Sequence, residues 1–147
     1  MKIPSFSLPA NSGKFFSDLD FQNGTSVLYL YPKDATSGCT LEAQDFRDLL
    51  PHFTEIGVRV FGLSKDSPKS HDRFYEKQDL NFPLLSDENT ELIKALGSWT
   101  EKSMYGKKYW GTDRSTFVIR DGEIIREWRG VSVKNHAEEV LKFCKQT

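Results

Sequence analysis

"TSVLYLYPKDATSGCTLEAQDFRDLL", residues 25–50, decides the fold. Its first eight residues are apolar, aromatic and β-favouring, and they follow an Asn23-Gly24 turn, the pattern of a buried strand. Pro32, Asp34 and Gly38 then mark a loop. Beyond it Phe46, Leu49, Leu50 and Phe53 recur at i, i+3, i+4 and i+7, the period of an amphipathic helix, and the pattern stops near Ile56-Gly57. One of only two cysteines, Cys39, stands where the loop enters that helix.

Working outward, "VRVFGLS" (58–64) reads as a second strand. Ser67-Pro68 supplies an N-cap followed by proline at the first helical position, opening a helix through about Gln78. The succession is β-α-β-α. "FPLLSDENTELIKALG" suggests a short connection and a helix ending at Gly97, while "RSTFVIRDGEIIREWRG" holds two strands around an Asp121-Gly122 turn. A last helix covers roughly residues 133 to 145. This alternation predicts an α/β fold, a central mixed sheet flanked by helices, parallel in part with an antiparallel hairpin at one side. In such sheets, function gathers where strands end and helices begin, which is where Cys39 sits.

The chain has 147 residues, enough for a single domain, 1–147, with one core. Its net charge is −1 and its 20 basic residues are scattered, so neither nucleic acid nor an anionic membrane is expected as a partner. The opening "MKIPSFSLPANSGKFF" meets polar residues too soon for the apolar core of a signal peptide, and no run is long enough to span a bilayer. A cytoplasmic protein is the expectation. Cys39 and Cys144, 105 residues apart, suit a reducing compartment better than a disulfide framework.

A free thiol titrates near ~8.5, yet the thiolate is the nucleophile. The first turn of a helix favours that anion through its unpaired N–H groups and the positive end of its dipole. Pro32, Thr36 and Cys39 are spaced so that a rigid proline enters the loop and a hydroxyl lies three residues before the sulfur, where it could bond the thiolate or an oxygen beside it. Cys39 shares a helical face with Ala43, Phe46 and Leu50, so the sulfur is expected to point toward the protein body, half sheltered. A small buried hydrophobe is the other reading of such a cysteine.

"YPKDATSGCTLEA" closely resembles the active-site stretch of the peroxiredoxins, with their Pro-x-x-x-Thr-x-x-Cys pattern, and in particular the bacterioferritin comigratory protein, or peroxiredoxin Q, branch. "FSLP", "FPLLSDEN" and "GSWTEKSMYGKKYWGTDRSTFVI" resemble that family's blocks in the same order, so nearly the whole chain is covered. The resemblance implies a thioredoxin-like fold and a thiol-dependent peroxidase acting on hydrogen peroxide and organic hydroperoxides. It makes Cys39 the peroxidatic cysteine, Thr36 and Pro32 its loop partners, and Arg114 in "GTDRSTF" the arginine that holds the thiolate and the peroxide.

The sequence departs from its family over the resolving cysteine. One subgroup places it at the position of Gln44, another at a position corresponding to Ile93, and neither is a thiol here. Cys144 shares the stripe of Ala137, Val140 and Leu141 and reads as core-facing. A one-cysteine cycle is therefore expected, with the sulfenic acid reduced by glutathione, a glutaredoxin or thioredoxin, in a monomer or weak dimer. A thiol-disulfide oxidoreductase lacks its C-x-x-C pair. A peroxide sensor that signals through Cys39 oxidation stays open. His52, His71 and His136 lack metal-ligand spacing and read as surface or helix-end residues, and no phosphate loop occurs, so no cofactor is expected. Trp99, Tyr105, Tyr109 and Trp110 crowd one loop, either walling a peroxide pocket or packing the loop itself.

Overall fold

The computed structural model describes residues 1–147. Its elements are β1 (Ser7–Pro9), β2 (Phe15–Ser17), β3 (Thr25–Leu30), α1 (Ser37–Glu55), β4 (Val58–Ser64), α2 (Pro68–Lys77), β5 (Leu84–Ser86), α3 (Glu91–Ala95), β6 (Trp99–Met104), β7 (Lys107–Thr112), β8 (Ser115–Arg120), β9 (Glu123–Trp128) and α4 (His136–Gln146). Five strands form the central sheet in the order β5-β4-β3-β8-β9. β3 runs parallel to β4 and antiparallel to β8, so the expected mixed sheet with a hairpin at one side is what forms.

β3 lies at the centre, and its alternation explains why the stretch is apolar throughout. Val27 and Tyr29 face a core built with Ala43 and Phe46 of α1, Phe74 of α2 and Val140 of α4. Leu28 and Leu30 face a second core with Phe21, Phe61, Leu92 and Phe117. A strand covered on both faces leaves no place for a polar alternate. Gly62 of β4 stands opposite Tyr29, and its missing side chain makes room for the tyrosine ring, which stacks on Phe46 at 4.6 Å between centroids.

Local chemistry sets the helix ends. The Ser67 hydroxyl accepts from the Ser70 N–H and Pro68 opens α2, as the sequence predicts. α1 continues past Pro51, which has no N–H to give to the Arg47 carbonyl; the Asn81 side chain donates to that carbonyl instead at 3.2 Å. The Asp121-Gly122 turn has positive φ at both residues, as a two-residue hairpin requires.

The segment read as an aromatic loop is itself a hairpin, β6–β7, turning at Tyr105-Gly106, where φ is again positive twice. Tyr105, Tyr109 and Trp110 are exposed and pack against no core, whereas Trp99 is half-buried beside the ammonium groups of Lys65 and Lys94. β5 was hidden inside "FPLLSDEN", and α3 is only five residues long. No helix is long and apolar enough to cross a membrane.

Candidate active site

Cys39 is the third residue of α1, directly beyond the C-terminal end of β3, and is 2% exposed, more sheltered than the sequence suggests. The N–H groups of the first turn have no carbonyl four residues earlier within the helix to bond. Helical bonding begins with the Thr40 N–H, which donates to the Thr36 carbonyl at 2.9 Å. Thr36 is the N-cap, but its side chain does not cap the helix. The groups that favour an anion are thus left facing the sulfur's end of α1.

The Thr36 hydroxyl donates to the Lys33 carbonyl at 2.8 Å. Of the two partners expected for it, the thiolate or an oxygen beside it, the hydroxyl has no hydrogen left to give the thiolate. Its oxygen keeps lone pairs with which to accept the O–H of a peroxide. Pro32 sits half-buried at the exit of β3 and starts this loop, in which Ala35 adopts a left-handed φ of 63°.

Arg114 comes from just ahead of β8, the strand hydrogen-bonded to β3, so sheet pairing brings it 75 residues along the chain to Cys39. Its Nη2 donates to Cys39 Sγ at 3.3 Å and its Nη1 donates to Glu42 Oε1 at 2.6 Å. A Cβ on Gly38 would come within 3.4 Å of the same guanidinium. Burial opposes the Arg114 charge, but Glu42 and Cys39 outweigh it, and the guanidinium holds its proton more firmly than usual.

Glu42 was missed in the sequence. It lies three residues after Cys39, on the same helical face, and is 1% exposed; a carboxyl on an inward stripe is itself a signal, since a buried charge demands a partner. Burial pushes it up to about 7 despite Arg114, and its Oε2 has no hydrogen-bond partner. Lys102 of β6 is half-buried, and burial lowers its pKa while Asp113 opposes that shift.

Of the three histidines, read as surface or helix-end residues, only His71 departs from the expectation, since His136 opens α4. His52 is exposed, but His71 is wholly buried and His136 is 4% exposed. His71 Nε2 meets the Leu85 carbonyl at 2.9 Å and Nδ1 meets the Asp34 carboxylate at 2.7 Å. Asp34 also accepts from the Tyr31 hydroxyl at 2.6 Å and from Ser70 Oγ at 2.9 Å. The Asp34 N–H donates to Asp66 at 2.9 Å, so these residues tie the loop before Thr36 to α2. Their polar atoms are engaged with one another, which makes them a tether.

Both cysteines are free. Cys144 faces the core, as expected, and burial pushes its thiol up to about 11. α4 begins at His136, whose Nε2 pairs with Thr116 Oγ1 at 2.8 Å near the start of β8, and carries Cys144 eight residues, roughly 12 Å, away toward Arg120. At the other candidate positions, the Gln44 side chain donates to Gln78 at 2.9 Å and Ile93 is wholly buried. A cavity of about 400 Å³ lined by Phe16, Leu50, Arg59 and Phe82 opens where α1 ends and β4 begins, far from Cys39.

The model of the AhpC/TSA family matches residues 1–128. The chain belongs to the AhpC/TSA family. Peroxiredoxin Bcp of Bacillus subtilis (strain 168) is 43% identical over 145 residues, covering 98% of this chain and 92% of its own length. Peroxiredoxin Bcp of Xanthomonas campestris pv. campestris is 48% identical over 120 residues, 81% of this chain and 75% of that one. Among solved structures, Xanthomonas campestris Peroxiredoxin Q superimposes with a TM-score of 0.92 at 42% identity, covering 96% of this chain and 90% of that one. The molecule is a peroxiredoxin of the Bcp, or Q, type, with a thioredoxin-like fold, and peroxiredoxins of this type are thiol-dependent peroxidases.

Proposed function

We propose that this peroxiredoxin reduces hydrogen peroxide and organic hydroperoxides with Cys39 as its nucleophile. The observation that carries the reading is the Arg114 Nη2 donor 3.3 Å from Sγ, which pairs the sulfur with a permanent positive charge. The Cys39 thiolate attacks the terminal oxygen of ROOH, the O–O bond breaks, and Cys39 becomes a sulfenic acid while RO⁻ leaves and takes a proton to give ROH. Charge grows on the leaving oxygen, and donors already aimed there, the guanidinium and the free N–H groups of the first turn, stabilise it without reorganising. Thr36 accepts the peroxide hydrogen and fixes its orientation. Organic substrates are supported by the Xanthomonas campestris bacterioferritin comigratory protein, whose alkyl peroxide reduction activity accompanies a structure similar to this chain at a TM-score of 0.92.

The cycle uses one cysteine, and an external thiol such as glutathione, a glutaredoxin or thioredoxin returns the sulfenic acid to the thiol. Support comes from the placement of Cys144 down α4 with a protonated, buried thiol. The test is peroxide consumption with a supplied thiol, joined to non-reducing mass spectrometry after one equivalent of peroxide. Cys39→Ser is expected to abolish turnover, and Cys144→Ser to leave it. A Cys39–Cys144 disulfide overturns the one-cysteine cycle, and oxidation without turnover favours a peroxide sensor.

A further inference from the structure

We infer that Arg129, just beyond β9, is a positioning residue for Arg114. The inference rests on the reading that Arg114 acts on Cys39. A guanidinium that serves a sulfur at one end and a carboxylate at the other must be held to a fraction of an ångström, and its own side chain has several rotatable bonds with which to drift. The constraint has to begin at its main chain.

That main chain is fixed from two sides. The Val131 N–H donates to the Arg114 carbonyl at 3.0 Å, and the Asp113 N–H donates to the Ser98 carbonyl at 2.7 Å. Ser115, on the other side of Arg114, donates through its hydroxyl to the Asp113 carbonyl at 2.8 Å and lies 2.9 Å from the Ser98 hydroxyl. Ser98 is therefore the hub, wholly buried, touching the residues on both sides of Arg114. Arg129 holds the hub. Its Nη1 donates to Ser98 Oγ and to the Gly97 carbonyl, each at 3.1 Å, and its Nη2 donates to the Leu96 carbonyl at 2.7 Å.

The guanidinium also lies 5.3 Å from the Phe117 ring centroid, on the strand that Arg114 precedes. Glu127 accepts from its Nε at 3.3 Å, which sets the plane of the fork. Arg129 then passes directly into Gly130 and Val131, and the Gly130 N–H reaches the Asp113 carboxylate at 3.3 Å. One short segment thus grips the residue before Arg114, the carbonyl of Arg114 itself and the serine that joins its neighbours. Arginine suits the position because four acceptors, the Ser98 hydroxyl, the Gly97 and Leu96 carbonyls and the Glu127 carboxylate, match its fork, whereas a lysine ammonium reaches fewer of them.

The experiment compares Arg129→Ala, Arg129→Lys and Ser98→Ala with Arg114→Ala. Three quantities are measured: kcat/KM for hydrogen peroxide with a fixed thiol, the pH dependence of Cys39 alkylation, and Tm. Arg129→Ala is expected to lower kcat/KM about tenfold and to move the alkylation profile to higher pH, Arg129→Lys to do the same more weakly, and Ser98→Ala to follow Arg129→Ala in direction. A lower Tm with wild-type kcat/KM and an unmoved alkylation profile overturns the inference and makes Arg129 structural only. If Arg129→Ala fails to fold, Arg129→Lys decides by the same readouts. If Arg114→Ala itself is silent, the underlying reading of the site fails instead.

Discussion

At the scale of single residues, two acidic groups share one guanidinium. Glu42 ionises near 7, so as pH rises through neutrality its new charge draws on Arg114 and leaves less for the Cys39 thiolate. Glu42→Gln keeps a hydrogen-bond acceptor for Arg114 but removes the competing charge. The expected outcome is faster alkylation of Cys39 at and above neutral pH, measured by the rate of iodoacetamide modification. Pro32, Thr36 and Cys39 were legible because they share eight consecutive positions. Arg114 was legible only through likeness to a family, since nothing local says which distant arginine a sheet will deliver. Glu42 and Arg129 were not read at all: each resembles an ordinary solvated charge until the fold shows what stands against it.

At the scale of elements, the close approach between β4 and its neighbours is tightest at Gly62. An added Cβ would meet Leu84 Cδ2 at 2.8 Å and the Tyr29 ring at 3.3 Å. Gly62→Ala is expected to destabilise the fold by about 1–3 kcal/mol through overpacking, read from urea unfolding with unchanged m-value. The long elements announced themselves by period, with β3, α1, β4 and α2 close to their expected bounds. β6 and β7 did not, because only the base of this ribbon, at Trp99, Gly111 and Thr112, is covered while its outer part is exposed and shows little contrast between its faces, and Tyr-Gly is a weaker turn signal than Asp-Gly. β5 has three residues, all buried, too few to display any period. His71 was misplaced for a related reason: a polar residue on the inward side of α2 is explained only by Asp34 and the Leu85 carbonyl, which arrive from distant parts of the chain.

At the scale of the whole molecule, pH acts on stability through buried His136. Burial lowers its pKa in the folded chain below the ordinary 6.5. Below about 6.5 the unfolded chain therefore binds a proton that the folded chain refuses, so stability is full above that pH and falls as pH drops. His136→Asn is expected to flatten the decline of Tm between pH 7.5 and 5.5, measured by calorimetry on both proteins. The Glu42 contribution runs the other way. Its carboxyl is raised in the fold, so its share of stability is present below 4.5 and fades as pH climbs through about 7.

The cysteine on α4 is buried among core side chains with its thiol held protonated, and this has a consequence for timing. On the proposed cycle the molecule stores no spare electrons. Once oxidised, it enters a race between the arriving donor and a second oxidant molecule, which would carry the sulfur on to the sulfinic state from which thiols do not recover it. The supply of donor, more than the speed of the first attack, then sets how long each copy survives under oxidative load.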